Sequence, residues 1–313
     1  MTLGKARAFP TFFQEEARRK MSRPSAGRKI RIQYATLVAP GMLVFTVGLI
    51  VPMILGLRYS LTSWNGFTRD LPWVGLGNYV KILHDPYALG AWWFTIKFTF
   101  WNTIIQNLFA LAFAVVLDSE LRARKVYRTI LFVPCLVSPI IVGFVWLRMF
   151  SNVLPAINSA LGTNINFLLF GNARSVLSGL VVANNWQWIG YWMIIYLAAL
   201  QSIPRELYEA AHVDGASWLR RFFSITIPML APAFTICIVG ITIGSLKVYE
   251  LIVSSTEGGP GRASTSIVYQ IYNTAISGRQ YGYGSALSMT LVVVLLIVAV
   301  VQVSVLRKRE VQL

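Results

Sequence analysis

The sequence predicts an all-α, polytopic membrane protein with six transmembrane helices, and three observations carry that reading. The 313 residues are 56% hydrophobic and only 13% charged, where a soluble domain carries about 25% charged residues. Six uncharged runs approach or exceed the ~20 residues that cross a bilayer. The few charges sum to +16, from 28 Lys+Arg against 12 Asp+Glu, and the connections between the runs share them unevenly. Plentiful aromatic and β-branched residues exclude disorder. A mean hydropathy of +0.60 excludes a soluble nucleic-acid binder despite the basic balance, so no nucleic-acid partner is expected.

The runs cover 34–57, 98–117, 129–147, 175–203, 227–246 and 286–306, and none contains Asp, Glu, Lys, Arg or His. A charge at a helix centre costs ~2.5–3.5 kcal/mol on insertion, so this absence is informative. The third run is the shortest and contains Pro134 and Pro139, which leaves its ends least defined. The fourth is long and polar in its middle, at Asn184, Asn185 and Gln187, unlike a simple lipid-facing rod.

The tail 1–33, the connections 118–128 and 204–226, and the tail 307–313 together hold 19 Lys/Arg. The alternate connections 58–97, 148–174 and 247–285 hold nine, in more residues. The positive-inside bias therefore predicts both termini in the cytoplasm, and an even span count also puts them on one side. The expected organisation is a basic cytoplasmic tail (1–33), a six-helix membrane domain (34–306) and a short cytoplasmic tail (307–313). The tail sequence, with Phe9, Phe12 and Phe13 ahead of Arg18-Arg19-Lys20, fits either a segment on anionic membrane lipid or a disordered arm.

No cleavable signal is read, because the basic region before the first run is 33 residues long and that run exceeds a signal-peptide core. Cys135 and Cys237 both fall inside runs, which argues against a disulfide framework or a zinc site. The two histidines, His84 and His212, stand in connections without a ligand cluster. No Gly-x-x-x-x-Gly-Lys-Ser/Thr phosphate loop occurs, so no catalytic residue, metal or cofactor is expected in this chain.

The connection 202–226 is built differently from the others. Ser202 can cap a helix and Pro204 suits its first turn. Leu207, Tyr208 and Ala211 then share a face at helical spacing, and Gly215 supplies a positive-φ stop. Ser217 can cap a second short helix carrying Trp218, Phe222 and Phe223, and Pro228 opens the next run. Small residues at Ala210, Ala211, Gly215 and Ala216 permit close approach. The product is a bent helix–turn–helix, shaped either to dock in a partner's groove or to lie amphipathically on the membrane.

Glu209-Ala210-Ala211, Asp214-Gly215-Ala216 and Ile227-Pro228 resemble the EAA motif of binding-protein-dependent ABC transporter permeases. Thr62-Ser63-Trp64-Asn65-Gly66 and Val74-Gly75-Leu76-Gly77-Asn78-Tyr79 resemble the first external loop of the sugar-type members, although Gly77 departs from the common pattern. Arg128-Thr129, Phe132-Val133-Pro134 and Ser138-Pro139 are similar to their third span. Gly258-Gly259-Pro260-Gly261 and Tyr281-Gly282-Tyr283-Gly284-Ser285-Ala286 resemble the approach to the last. These stretches are collinear over most of residues 34–309, and they resemble most the maltose/glycerol-3-phosphate/multiple-sugar permease group.

The resemblance implies a type I ABC importer permease in a bacterial cytoplasmic membrane. Such a subunit pairs with a second permease, two cytoplasmic ATPase subunits that bind ATP and Mg, and an extracytoplasmic solute-binding protein. It also implies that Glu209, Ala210, Ala211, Asp214 and Gly215 couple the permease to an ATPase, and that the cargo is a carbohydrate. The absence of basic residues from the six runs favours a neutral one.

A sugar passage needs aromatic faces and amide or hydroxyl groups at membrane depth. The fourth run offers Asn184, Gln187, Trp188 and Tyr191 on one helical face, with Asn185, Trp192 and Tyr196 adjoining. That set reads either as a passage wall or as interfacial tryptophans with interhelical amide hydrogen bonds. Asn102, Gln106 and Asn107 form a second polar stripe that suits helix packing. Gly240-x-x-x-Gly244 permits close helix contact, and Glu250 either reaches the outer cavity or pairs with Lys247. The rival class is an ion-coupled secondary transporter or channel subunit, which ordinarily keeps an intramembrane carboxylate or histidine. These runs have neither.

Overall fold

The computed structural model describes residues 24–119, 122–163 and 168–309. The phenylalanines and the Arg18-Arg19-Lys20 cluster of the basic tail lie outside the described residues. Among the described residues the chain is helical, with one isolated bridge between Thr62 and Trp73. It divides into two compact units, 1–55 and 56–313.

In the first unit, α1 (Pro24–Phe45) begins well before the tail boundary expected at residue 33. Pro24 at its first position has no amide hydrogen to leave unpaired. A π-helical turn, Thr46–Ile50, leads into α2 (Val51–Ser60). The stretch Thr36–Ser60 is long and apolar enough to cross a membrane, and its most apolar part has no buried residue.

The second unit contains α3 (Gly77–His84), α4 (Pro86–Asp118), α5 (Arg124–Phe132), α6 (Pro139–Arg148), α7 (Leu154–Ala160) and α8 (Val176–Gln201). It continues with α9 (Arg205–Val213), α10 (Trp218–Arg221), α11 (Ala231–Leu246), α12 (Glu250–Ser255), α13 (Ile267–Tyr272) and α14 (Tyr281–Leu306). α4 has 33 residues, about 50 Å at 1.5 Å per residue. Its first turn is set by Pro86 and by Asp85, whose side chain accepts from the Tyr87 amide at 2.9 Å. α4 and α8 form the central pair. α11 packs on α4, α6 on α12, and α14 on α11 and α13.

Four described helices have the length and hydropathy to cross a membrane, and a bent pair makes up to five. The expected six therefore need three corrections. The third span does not run 129–147. α5 ends in a 3₁₀ turn (Val133–Leu136), Val137 and Ser138 are extended, and the apolar stretch shifts to Pro139–Ala160, which includes Arg148. Proline disfavours helical backbone in the residue before it and starts a helix well, so Pro139 relocates the span. The fourth exists as the continuous 26-residue α8, but its amides keep it below the hydropathy of the others. The fifth is bent by 66° between Trp218–Met229 and Ala231–Leu246. Pro232 has no N–H to give the Pro228 carbonyl, so the helical ladder fails at Leu230.

The motif stretches in 58–97 and 247–285 meet one another. Asn78 donates from Nδ2 to the carbonyls of Ser60 and Thr62, both at 2.8 Å, and the Gly282 amide donates to the Trp64 carbonyl at 2.9 Å. A Cβ on Gly282 would strike the Thr62 carbonyl oxygen, so only glycine allows this approach. Tyr283 donates to Asp85 Oδ2 at 2.7 Å, and Thr95 Oγ1 accepts from the Ile267 amide at 2.9 Å.

Candidate functional site

Two regions gather the residues singled out above. The first is the bent knob. α9 begins at Arg205 after Pro204, without a side-chain cap. Ser202 instead donates to the Ala199 carbonyl at 2.7 Å, so it closes α8 rather than opening α9. Gly215 has φ +74°, and a Cβ there would meet nothing within 4 Å; its need for glycine is conformational rather than steric. The Ala216 amide donates to the Ala211 carbonyl at 2.9 Å across this stop. Ser217 caps α10, accepting from the Arg220 amide at 3.4 Å.

Trp218 and Phe222 stack at 5.5 Å, and the Tyr208 and Thr226 hydroxyls meet at 2.9 Å. These contacts hold the two arms together from inside. Glu209, Ala210, Asp214 and Gly215 are exposed and Ala211 is half-buried. Val213, Trp218, Leu219 and Phe223 are exposed as well, an apolar surface surrounding the acidic and small residues.

The second region is a cavity of about 440 Å³ enclosed by α4, α8, α11 and α12. From α8 it is lined by Asn184, Trp188, Tyr191 and Trp192. Residues spaced by three, four and seven positions fall on one helical stripe, which is why these four face it together. The Tyr191 ring stands edge-on to both Trp188 (6.2 Å) and Trp192 (4.9 Å). Asn102 and Gln106 of α4, and Gly240, Gly244 and Ser245 of α11, complete the walls.

Two predicted residues lie elsewhere. Asn185 is buried and donates to Asn102 Oδ1 at 2.9 Å and to the Val181 carbonyl at 2.8 Å. Gln187 is fully buried and donates to the Val137 carbonyl at 2.8 Å. They flank the cavity stripe on either side, toward α4 and toward the break before α6, and bond those neighbours. Tyr196 likewise donates to Asn107 Oδ1 at 2.7 Å.

Lys247 and Glu250 both border the cavity. No ion pair joins them among the described residues, so the expected pairing is not made. Gly240 receives the Trp192 ring, while Gly244 has open space before it; the pair serves a side chain and a cavity rather than a helix crossing. The α11 wall was missed in the sequence, although 240, 244 and 245 fall at the same spacing as 102 and 106 across from it.

The family model described as the binding-protein-dependent transport system inner membrane component matches residues 106–309. The chain is 33% identical over 284 residues to the probable starch degradation products transport system permease protein AmyD of Thermoanaerobacterium thermosulfurigenes, covering 90% of this chain and 96% of that protein. It is 34% identical over 275 residues to the sn-glycerol-3-phosphate transport system permease protein UgpA of Shigella flexneri, covering 85% and 91% respectively. Among solved structures, a bacterial ABC transporter involved in the import of the acidic polysaccharide alginate shares the fold. That match has a TM-score of 0.77 at 24% identity, over 90% of this chain and 96% of that one. The cavity between polar and aromatic helices, the knob and these likenesses agree: the chain belongs to the binding-protein-dependent transport system inner membrane components, as a multi-pass permease subunit.

Proposed function

We propose that the chain forms half of the translocation passage of an ATP-driven importer for a carbohydrate delivered by a solute-binding protein. The observation that carries this is the cavity, where amide groups of α4 and α8 converge with Trp188, Tyr191 and Trp192 at membrane depth. Aromatic faces suit the apolar faces of sugar rings, and amides suit their oxygens. The named relatives carry starch degradation products and sn-glycerol-3-phosphate. The alginate transporter has also been crystallised with an alginate pentasaccharide-bound periplasmic protein. Asn184, Trp188 and Tyr191 are the side chains proposed to meet cargo, while Asn185 and Gln187 support the wall.

The rest of the proposal concerns assembly. A second permease completes the passage, and two ATPase subunits bind ATP and Mg, this chain having no nucleotide site of its own. One of them receives the knob within 202–226, where Glu209 and Asp214 offer charge and Ala210, Ala211 and Gly215 allow close packing. Both termini, with the tails 1–33 and 307–313, lie in the cytoplasm, and the solute-binding protein docks on the opposite face. The chain reconstituted alone is expected to move no sugar, whereas the complete complex with binding protein and ATP takes it up. Sugar uptake by the lone chain without ATP would sink the proposal.

A further inference from the structure

Gln106 is 2% exposed, borders the cavity, and has no hydrogen-bond partner for its Nε2 among the described residues. The direction of that amide follows from a relay anchored on the backbone. Asn185 must present Nδ2 to the Val181 carbonyl (2.8 Å), and the same nitrogen donates to Asn102 Oδ1 at 2.9 Å. The Asn102 Nδ2 group is thereby turned toward Ser245 Oγ (2.8 Å) and Gln106 Oε1 (3.2 Å). Asn102 then has both amide hydrogens and its oxygen engaged. Gln106 has its oxygen engaged and both N–H groups free. Reversing the Gln106 amide would set one NH₂ against another. The relay leaves Asn185 Oδ1 unpaired as well, but that oxygen does not border the cavity.

A buried donor without an acceptor costs free energy, so a donor held in this direction at a cavity wall is a structural commitment to something that passes there. We propose that Gln106 is a specificity-determining residue of the passage: its free N–H groups donate to an acceptor oxygen of the carbohydrate, and the Asn185–Asn102 relay holds them in that sense. The inference rests on the reading of the cavity as a sugar passage. It adds that the α4 wall selects for an oxygen with available lone pairs, such as a ring, glycosidic, hydroxyl or acidic oxygen. A water molecule can fill the position between passages.

The test uses the complete transporter in proteoliposomes with its binding protein. A panel of labelled glycerol, sn-glycerol 3-phosphate, maltose and maltotriose is supplied, and uptake and ATP hydrolysis are measured together. Gln106→Met keeps the length and removes the donor. Gln106→Glu keeps the acceptor for Asn102 and replaces the free N–H by oxygen. Each variant is expected to hydrolyse ATP within twofold of wild type while uptake per ATP falls about 5- to 10-fold, the scale of one hydrogen bond. Asn185→Leu, which breaks the relay away from the cavity, is expected to lower uptake per ATP in the same direction. Unchanged uptake per ATP in both Gln106 variants overturns the proposal while leaving the passage intact. A wild-type complex that takes up none of the panel overturns the passage reading and this proposal with it.

Discussion

Gly190 and Gly244 face opposite situations, and single methyl groups distinguish them. At Gly190 an added Cβ would run into the Leu131 carbonyl oxygen and lie 2.9 Å from the Phe132 Cα. These are backbone atoms of α5 that cannot swing aside. Gly190→Ala is expected to cost ~1–3 kcal/mol by overpacking, read as a lower unfolding midpoint of the detergent-purified protein. Gly244→Ala adds its methyl to open space and relieves a helix of glycine, so stability should hold or rise by about 0.5–1 kcal/mol. Equal losses at the two positions would refute the close-approach argument. The same scale shows how far the residue pattern could be read. Asn184 and Asn185 are adjacent in sequence but ~100° apart on α8, so one borders the cavity and the other bonds Asn102 of α4. Gln187 sits beside Asn184 on a helical wheel, yet it turns to the Val137 carbonyl. That carbonyl is available because the backbone is extended before Pro139. Periodicity specifies an angle on one helix; the partner waiting at that angle belongs to another.

At the scale of elements, runs of apolar residues located the helices well and located their breaks poorly. A hydropathy pattern does not register that Pro232 deprives the Pro228 carbonyl of its donor, and the 66° bend at Leu230 follows from that missing bond. Replacing both prolines by alanine is expected to straighten the element. Spin labels on Phe223 and Ile236, both exposed, report it as a longer label-to-label distance, and an unchanged distance would assign the bend to packing instead. The knob was more legible, because its bend depends on a local backbone requirement. Gly215→Ala should cost roughly 1–2 kcal/mol of knob stability through left-handed strain alone, since no neighbour obstructs the methyl. Gly215→Asp adds a further charge to the proposed ATPase contact. It is expected to leave membrane insertion intact while the ATPase subunits are lost during purification. Normal retention and transport by that variant would remove the coupling role from this turn.

For the molecule as a whole, the unequal distribution of Lys and Arg makes an orientation testable without any partner. Single cysteines placed at Asp118 and at Gly261, in a background without Cys135 and Cys237, should react with a membrane-impermeant reagent from opposite sides of sealed vesicles. The Gly261 site is expected to be the extracytoplasmic one. Labelling of both from one side would reverse the topology argument. Class and membership of the fold were readable from composition, charge placement and collinear motifs. The joining of those motifs was not, because hydrogen bonds between distant segments leave no periodic trace. One such joint also concerns how the chain is made. The Trp64 carbonyl finds its donor on Gly282, and Asp85 finds the Tyr283 hydroxyl, so the earliest external loop is completed only by the last helix to be synthesised. Until α14 enters the bilayer, that loop waits with bare backbone carbonyls and an unengaged aspartate. A chain released before residue 281 should therefore expose the 62–73 stretch to protease, while the full-length protein protects it. Arrival of the final span would act as a quality check on the first.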